Sequence, residues 1–268
     1  MSDQQKRQQF VGDPSGNRLR GVRVGIVGLG GGGSQVAKFL TQAGVTSLSL
    51  FDPDTAEAVN RNRTDGLTER DVESGALKVE ISNRLVRQAD SGADVRPIPR
   101  RWQDAIAELA ACGIIVGCVD SFAARRDLEG AARQQLSPYV DVGLDVHVAE
   151  GSEEPPQMSG QVILSVPGGA CLHCMGFLTE AKLAREASNY GGHRGREQVG
   201  WGNGVLAATA AGIVVDLITG WTRQACPIYL QYDGNLGTVV PHERLKYMPK
   251  HCQHFDLDEV GPPRLRAV

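Results

Sequence analysis

The chain lacks a strong excess of either charge: 28 Lys and Arg against 31 Asp and Glu leave a formal net charge of −3 over 268 residues. That near-balance removes the electrostatic basis for a nucleic-acid or anionic-membrane ligand. The opening MSDQQKRQQF lacks the apolar core of a signal peptide, so a cytoplasmic protein is expected. No disulfide framework is visible either. Of the six cysteines, only Cys171 and Cys174 are closely paired, which suits thiols kept for metal or chemistry in a reducing compartment. Long apolar runs are nearly absent. GVLAATAAGIVVDLITGW (204–221) alone approaches the roughly 20 residues of a membrane span. Asp216 interrupts it, and Ala, Gly and Thr dominate its surface, so it reads as a buried helix at a subunit interface. No membrane is expected. Neither an internal repeat nor a linker divides the chain. One elaborated domain over 21–268, behind a loose polar leader over 1–20, is the expectation.

What is present is an alternation of two periods. VRVGIVG is a short apolar run of the kind found in buried parallel strands, and glycines end it. SQVAKFLTQAG has helical spacing with Gly44 as a stop, and SLSLFD is a second strand ending in Asp52. A polar, loop-like stretch follows to Lys78. The pattern then predicts a helix over 78–88, a strand near DVRPIP and a helix over WQDAIAELA. After these come a strand GIIVGCVD, a helix over 121–136 and a strand YVDVGLDVHV. Strands alternating with helices predict an α/β fold, Rossmann-like and doubly wound around a mainly parallel sheet. Past Val148 the pattern changes: an acidic loop EGSEEPPQMSG, a strand QVILSV, a CLHC turn, a Gly/Arg-rich loop over 185–200, the long apolar helix and a late strand PIYLQYDG. This part is expected to extend the sheet in antiparallel fashion.

Three motifs carry chemistry. Gly28, Gly30 and Gly33 satisfy G-x-G-x-x-G between a strand and a helix, with Asp52 about 20 residues onward. Glycines let the backbone approach phosphate, and the helix N-terminus supplies N–H donors. Adenosine ribose occurs in NAD and ATP alike, so the loop by itself does not choose between them. Asp54, Asn60, Asn62, Arg63 and Lys78 then follow in one polar stretch. Attack on the α-phosphate of ATP calls for such cations, whereas a nicotinamide enzyme has no evident use for them. Asp120 stands at the end of an apolar strand, where ligands of open α/β sheets collect. It can hold Mg²⁺ there, with Arg125 one turn on to orient it or the phosphates, or it can cap the following helix.

In their order and spacing, GLGGGGS, FDPD, NRNR, Lys78, CVDS with its following Arg, and PGGACLHC resemble the ThiF/MoeB/HesA family, the ubiquitin-activating-enzyme-like adenylyltransferases. The resemblance runs from about residue 20 to 220. It implies a single ThiF/MoeB-like adenylation domain, with a nucleotide-binding part over 21–148 and the zinc turn, crossover loop and C-terminal part over 149–268. It implies ATP and Mg²⁺ as cofactors and adenylation of the C-terminal glycine carboxylate of a ubiquitin-like or sulfur-carrier protein ending in Gly-Gly. A homodimer is implied too. Carried over, the Gly28–Ser34 loop (with Gly31 and Ser34) cradles the nucleotide and Asp52 binds ribose. Arg63 and Lys78 contact phosphates, and Asp120 holds Mg²⁺; Asp54 and Asn60 complete the set. An NAD-dependent oxidoreductase, adenylation of a peptide or of a modified tRNA, and a non-catalytic family member are the competing readings.

The family places one pair of Zn²⁺ ligands at the turn that here is Cys171-x-x-Cys174. Its usual second C-x-x-C is missing. KHCQHF stands in its place, so Cys252 and His254 are expected to complete a Cys₃His site, with His251 and His254 as the alternative second half. Some relatives carry a thioester-forming cysteine on the following loop, and this loop has none, leaving Cys226 as the remaining candidate. For the relatives' N-terminal arginine, Arg18 and Arg20 are the nearest counterparts.

Overall fold

The computed structural model describes residues 3–12, 16–148, 151, 154–188, 197–249 and 252–255. Eight strands form one sheet in the order β3-β2-β1-β4-β5-β6-β7-β8. Strands β1 (Val24–Val27), β2 (Ser47–Phe51), β3 (Asp94–Ile98), β4 (Ile114–Gly117) and β5 (Tyr139–His147) pair in parallel. Strands β6 (Gln157–Ser165), β7 (Tyr229–Asp233) and β8 (Thr238–Pro241) extend the sheet antiparallel. All four residues of β1 and of β4 are buried, which is why both read as unbroken apolar runs.

The helices are α1 (Asn17–Gly21), α2 (Gly31–Ala43), α3 (Glu69–Glu73), α4 (Lys78–Ala89), α5 (Ile106–Ala110), α6 (Phe122–Gln134), α7 (Glu180–Ser188) and α8 (Gly200–Thr219). One face of the sheet carries α1, α2, α4 and α8 around Val36, Leu40, Val86, Leu206 and Val214. The other carries α5, α6 and the CLHC turn around Leu109, Leu128, Leu172 and Met175. Two separate apolar clusters therefore sandwich the sheet, and each buried Leu or Val contributes roughly 1.5–3 kcal/mol. Among the described residues, α8 alone is long and apolar enough to cross a membrane. It packs instead on α2, β5 and β6.

Several elements depart from the expectation. The helix over 102–110 is broken: a 3₁₀ turn at Trp102–Asp104 precedes α5, and Ala105 sits between them at φ −140°, ψ 40°. Arg100 donates to the Asp104 carbonyl at 3.1 Å, satisfying a group that the next helical turn would otherwise take. The loop expected over 150–160 ends early, because β5 runs to His147 and pairs with β6 from Gln157 onward. α8 begins four residues before the apolar run and stops at Gly220, which is left-handed. Strand β8 and helix α7 are largely exposed and are additional to the expectation, and α7 runs to Ser188, into the loop expected over 185–200. The leader is not loose throughout: Val11 and Leu19 are buried in the α2–α8 cluster.

Candidate functional site

Strand order reverses between β1 and β4, and the crevice at their C-terminal ends is where an open α/β sheet takes a ligand. Gly28 leaves β1 at φ +86°, and a Cβ there would sit 2.5 Å from the Cys118 carbonyl that follows β4. A Cβ on Gly33 would fall 1.8 Å from the Gly28 carbonyl oxygen. These two positions therefore accept no side chain, and the chain turns tightly into α2. Its N-cap, Gly30, offers no side-chain cap. The first-turn N–H groups are left directed outward, with the positive end of the helix behind them.

Asp52 follows β2 and is buried at 5 % exposure. Its Oδ2 accepts from the Leu29 N–H at 2.6 Å and its Oδ1 from the Asp54 N–H at 2.9 Å. Burial raises its pKa, opposed by the Leu29 hydrogen bond and by the Lys78 charge. An ionised carboxylate has about four lone-pair positions, so capacity remains for two hydroxyls. Lys78 opens α4 and pairs with Asp54 at 2.8 Å. Arg63 donates to the Val59 carbonyl at 2.7 Å and to Asn62 at 3.0 Å. Its stem packs on the first turn of α2, 3.1 Å from where a Gly31 Cβ would lie. Asn60 is buried nearby with its amide oxygen unpartnered within the protein. Gly28, Gly30, Gly31, Gly33, Asp52, Asp54, Asn60, Arg63 and Lys78 thus come from four elements onto one end of the sheet.

Ser34 has another task. Its hydroxyl donates to the Gly30 carbonyl at 2.8 Å and accepts from the Asp65 N–H at 3.0 Å. Fully buried, it ties the polar loop to α2. Two residues that the sequence did not single out work beside it. Gln35 donates to the carbonyls of Arg63 and Gly200 at 3.3 and 3.1 Å, while Asn203 donates to the Val199 carbonyl at 2.8 Å and lies against Gly31. Together they seat the start of α8 on the glycine loop, over a cavity of about 280 Å³ lined by Arg61, Asn62, Arg63 and Thr64. No local pattern signals a contact between residues 165 positions apart.

Asp120 is exposed at the end of β4. The cap of α6 is Ser121, whose hydroxyl accepts from the Ala124 N–H at 3.0 Å, so Asp120 is not the helix cap. Glu186 of α7 takes the Phe122 and Ala123 N–H groups, each at 2.9 Å. Arg125 is turned toward β5. It is buried against Asp141 at 2.5 Å, with Tyr139 and Gln161 donating to the same carboxylate. A buried guanidinium needs a buried counter-charge, and β5 supplies it.

On the α6 face, Cys171, Cys174, Cys252 and His254 bring their ligand atoms within 4.8 Å of one another. The Cys171 and Cys174 sulfurs are 3.6 Å apart, and His254 Nδ1 is 3.4 Å from each. Tetrahedral ligands at about 2.3 Å from zinc lie about 3.8 Å apart, so donor set and spacing both fit Zn²⁺. Burial pushes the Cys171 thiol up. Cys252 is pushed the same way by burial, but hydrogen bonds from the His254 backbone and from Cys171 hold it below its ordinary value. His251 lies outside the described residues.

Cys226 is placed elsewhere. Its thiol donates to Asp216 at 3.1 Å, and burial together with that carboxylate pushes its pKa up to about 12. Asp216 lies roughly 20 Å further along α8 than Asn203, at 1.5 Å per residue. A thiol so held is a poor nucleophile and is remote from the glycine loop. Arg18 donates to the Thr219 carbonyl at 3.1 Å, at that same far end, and Arg20 is exposed.

With this geometry in hand, comparison with known proteins is informative. The ubiquitin-like modifier-activating enzyme 5 of Dictyostelium discoideum is 30 % identical over 169 residues, covering 59 % of this chain and 42 % of that protein. The sulfur carrier protein ThiS adenylyltransferase of Bacillus subtilis is 29 % identical over 184 residues, covering 65 % of this chain and 51 % of that one. The chain thus spans about half or less of the length of these relatives. Among solved structures, E. coli MccB with MccA-N7isoASN superposes with a TM-score of 0.72 at 20 % identity, over 90 % of this chain and 71 % of that one, a likeness of fold. The ThiF family model matches residues 2–254, nearly the whole chain, and the chain belongs to the ThiF family.

Proposed function

We propose that this chain is an ATP-dependent adenylyltransferase that activates the C-terminal glycine carboxylate of a ubiquitin-like or sulfur-carrier protein. The observation that carries this reading is the buried Asp52 bonded to the Leu29 and Asp54 N–H groups beside glycines that accept no side chain, with Lys78 paired to Asp54 and the Arg63 stem packed on Gly31. In it the glycine floor's N–H groups take the phosphates and Asp52 takes the ribose hydroxyls. Lys78, released from Asp54, and Arg63 neutralise charge that builds on the phosphates. Asp120 would hold Mg²⁺, which supplies further charge neutralisation when bound. A carboxylate oxygen of the carrier attacks the α-phosphorus, the bond to the bridging oxygen breaks, and pyrophosphate leaves. Positioning and electrostatics suffice, and no side chain becomes covalently attached.

Cys226 has no part in this step, so the acyl-adenylate is the product handed on. The hydride-transfer reading gains no support from the family, and it leaves Arg63 and Lys78 without work. A homodimer is part of the proposal: Trp201, Val205, Ala208 and Gly212 form one exposed stripe along α8. We place the protein in the cytoplasm.

Pyrophosphate–ATP exchange with a carrier ending in Gly-Gly tests the reading. Asp120→Asn is expected to lower exchange by about 10²-fold or more, whereas Cys226→Ser is expected to leave it within about twofold. Unchanged exchange in Asp120→Asn would remove the Mg²⁺ assignment. Exchange with a short peptide and none with any carrier would move the substrate class.

A further inference from the structure

The α6 face also holds a buried polar cluster that adenylation does not use. Glu129 and Arg133 stand one turn apart on α6, at 0 % and 1 % exposure. Ionised groups at such depth are costly unless their partners are complete, so what they touch is informative. Glu129 accepts from the Leu172 N–H at 3.0 Å and from the Ser165 hydroxyl at 2.5 Å. Arg133 donates to the carbonyls of Gly169 and Ala170 at 3.2 and 2.8 Å, and to Ser165 at 2.7 Å. Besides Ser165 and the Glu129–Arg133 pair itself, 3.5 Å apart, these hydrogen bonds fall on the residues flanking Cys171, and Glu129 Oε2 has no hydrogen-bond partner among the described residues.

The same guanidinium also reaches the other half of the metal cluster. It lies over the Phe255 ring, 4.8 Å from the centroid, and Phe255 directly follows His254. Gly130 faces that ring as well, and a Cβ there would be 3.8 Å from it. One turn of α6 therefore grips both segments that supply ligands, the CLHC turn and the C-terminal Cys-x-His.

We propose that Arg133, backed by Glu129 on the Leu172 side, is a positioning residue for the metal: it holds the two ligand-bearing segments together in coordinating geometry. The proposal rests on the Cys₃His metal reading. Outer partners of this kind commonly change metal affinity by 10–100-fold. Here they act on backbone amide and carbonyl groups beside the ligands and on the ring beside His254.

Titration of the metal-stripped full chain with Co²⁺ under reducing conditions is the test, read by the visible bands of tetrahedral thiolate coordination and by competition with Zn²⁺. Arg133→Met is expected to weaken Co²⁺ binding about tenfold or more and to alter the bands. Glu129→Gln keeps an acceptor for Leu172 and is expected to stay within about threefold of the parent. Phe255→Ala removes the ring contact on the His254 side while leaving the hydrogen bonds of Glu129 and Arg133 to the CLHC turn in place, and is expected to weaken binding several-fold. Arg133→Met and Phe255→Ala both within twofold of the parent, with the parent spectrum, would overturn the proposal. Should Arg133→Met not fold, Phe255→Ala decides alone. A parent that gives no tetrahedral Co²⁺ spectrum overturns the metal reading and this proposal with it, while leaving nucleotide exchange untouched.

Discussion

The glycine loop and the Cys/His cluster lie on opposite faces of one sheet and are built in opposite ways. The loop is local: Gly28 to Ser34 are contiguous, and sterics leave the backbone one path, because a Cβ at Gly33 would fall 1.8 Å from a carbonyl oxygen. The Cys/His cluster is assembled from Cys171 and Cys174 and from residues about 80 positions later. There no local rule fixes the geometry, and buried side chains of α6 do so instead. Backbone-built sites are rigid before a ligand arrives, whereas side-chain-built sites depend on helices arriving in the right place.

The largest effect expected from breaking this contrast is at Gly33. Gly33→Ala forces the loop away from its path, so ATP affinity measured by calorimetry should fall by more than about 100-fold. The overpacking should also cost about 1–3 kcal/mol or more in stability. Co²⁺ binding by the folded fraction should be unchanged, because the cluster lies across the sheet.

A smaller, sharper effect is expected from the other side. Cys252→Ser should abolish tetrahedral Co²⁺ uptake while ATP affinity stays within about threefold, if the two regions are built independently. A loss of ATP affinity matching the loss of metal would mean that α6, which starts just after Asp120, transmits the damage. The contrast would then fail.

The smallest effect concerns the polar loop beside the floor. Asp71 closes a capping box with Thr68, and Arg84 holds its carboxyl well below the usual carboxylate range through hydrogen bonds at 2.8 and 2.7 Å. A depressed carboxylate contributes stability above its unfolded pKa of about 3.9, and that contribution is lost as pH falls through the folded value. Arg84→Met should therefore lower the melting midpoint by about 2–4 °C at pH 7. The difference from the parent should shrink as pH falls below about 4. A difference that stays constant down to strongly acid pH would exclude Asp71 as its source.

Much of this was legible in the chain. Strands β1, β2 and β4 end in Gly28, Asp52 and the Cys118–Asp120 turn, and their apolar runs against helical periods announced the parallel sheet. The family resemblance pointed to Cys171 and Cys174 and left the second half of the set open between Cys252 with His254 and His251 with His254; the structure brings Cys252 and His254 to the turn. What escaped was largely polar: Ser34 as a loop tie, Gln35 and Asn203 under the start of α8, and Asp141 as the partner of Arg125. A single buried hydrogen bond leaves no periodicity, so nothing in one sequence marks it.

The order of residues by itself determined where backbone can bend and where side chains cannot fit, because sterics act over a few bonds. It determined the alternation of buried and exposed positions too, because periods of 2 and 3.6 are properties of the strand and helix themselves. Only the tertiary structure decided the partner of each buried charge. It sent Arg125 to Asp141, gave Arg133 the flanks of the metal turn, and set Cys226 against Asp216, far from the glycine floor. Those pairings depend on distances between elements far apart in the chain, and in the low-dielectric interior each must be met by whatever the fold brings near.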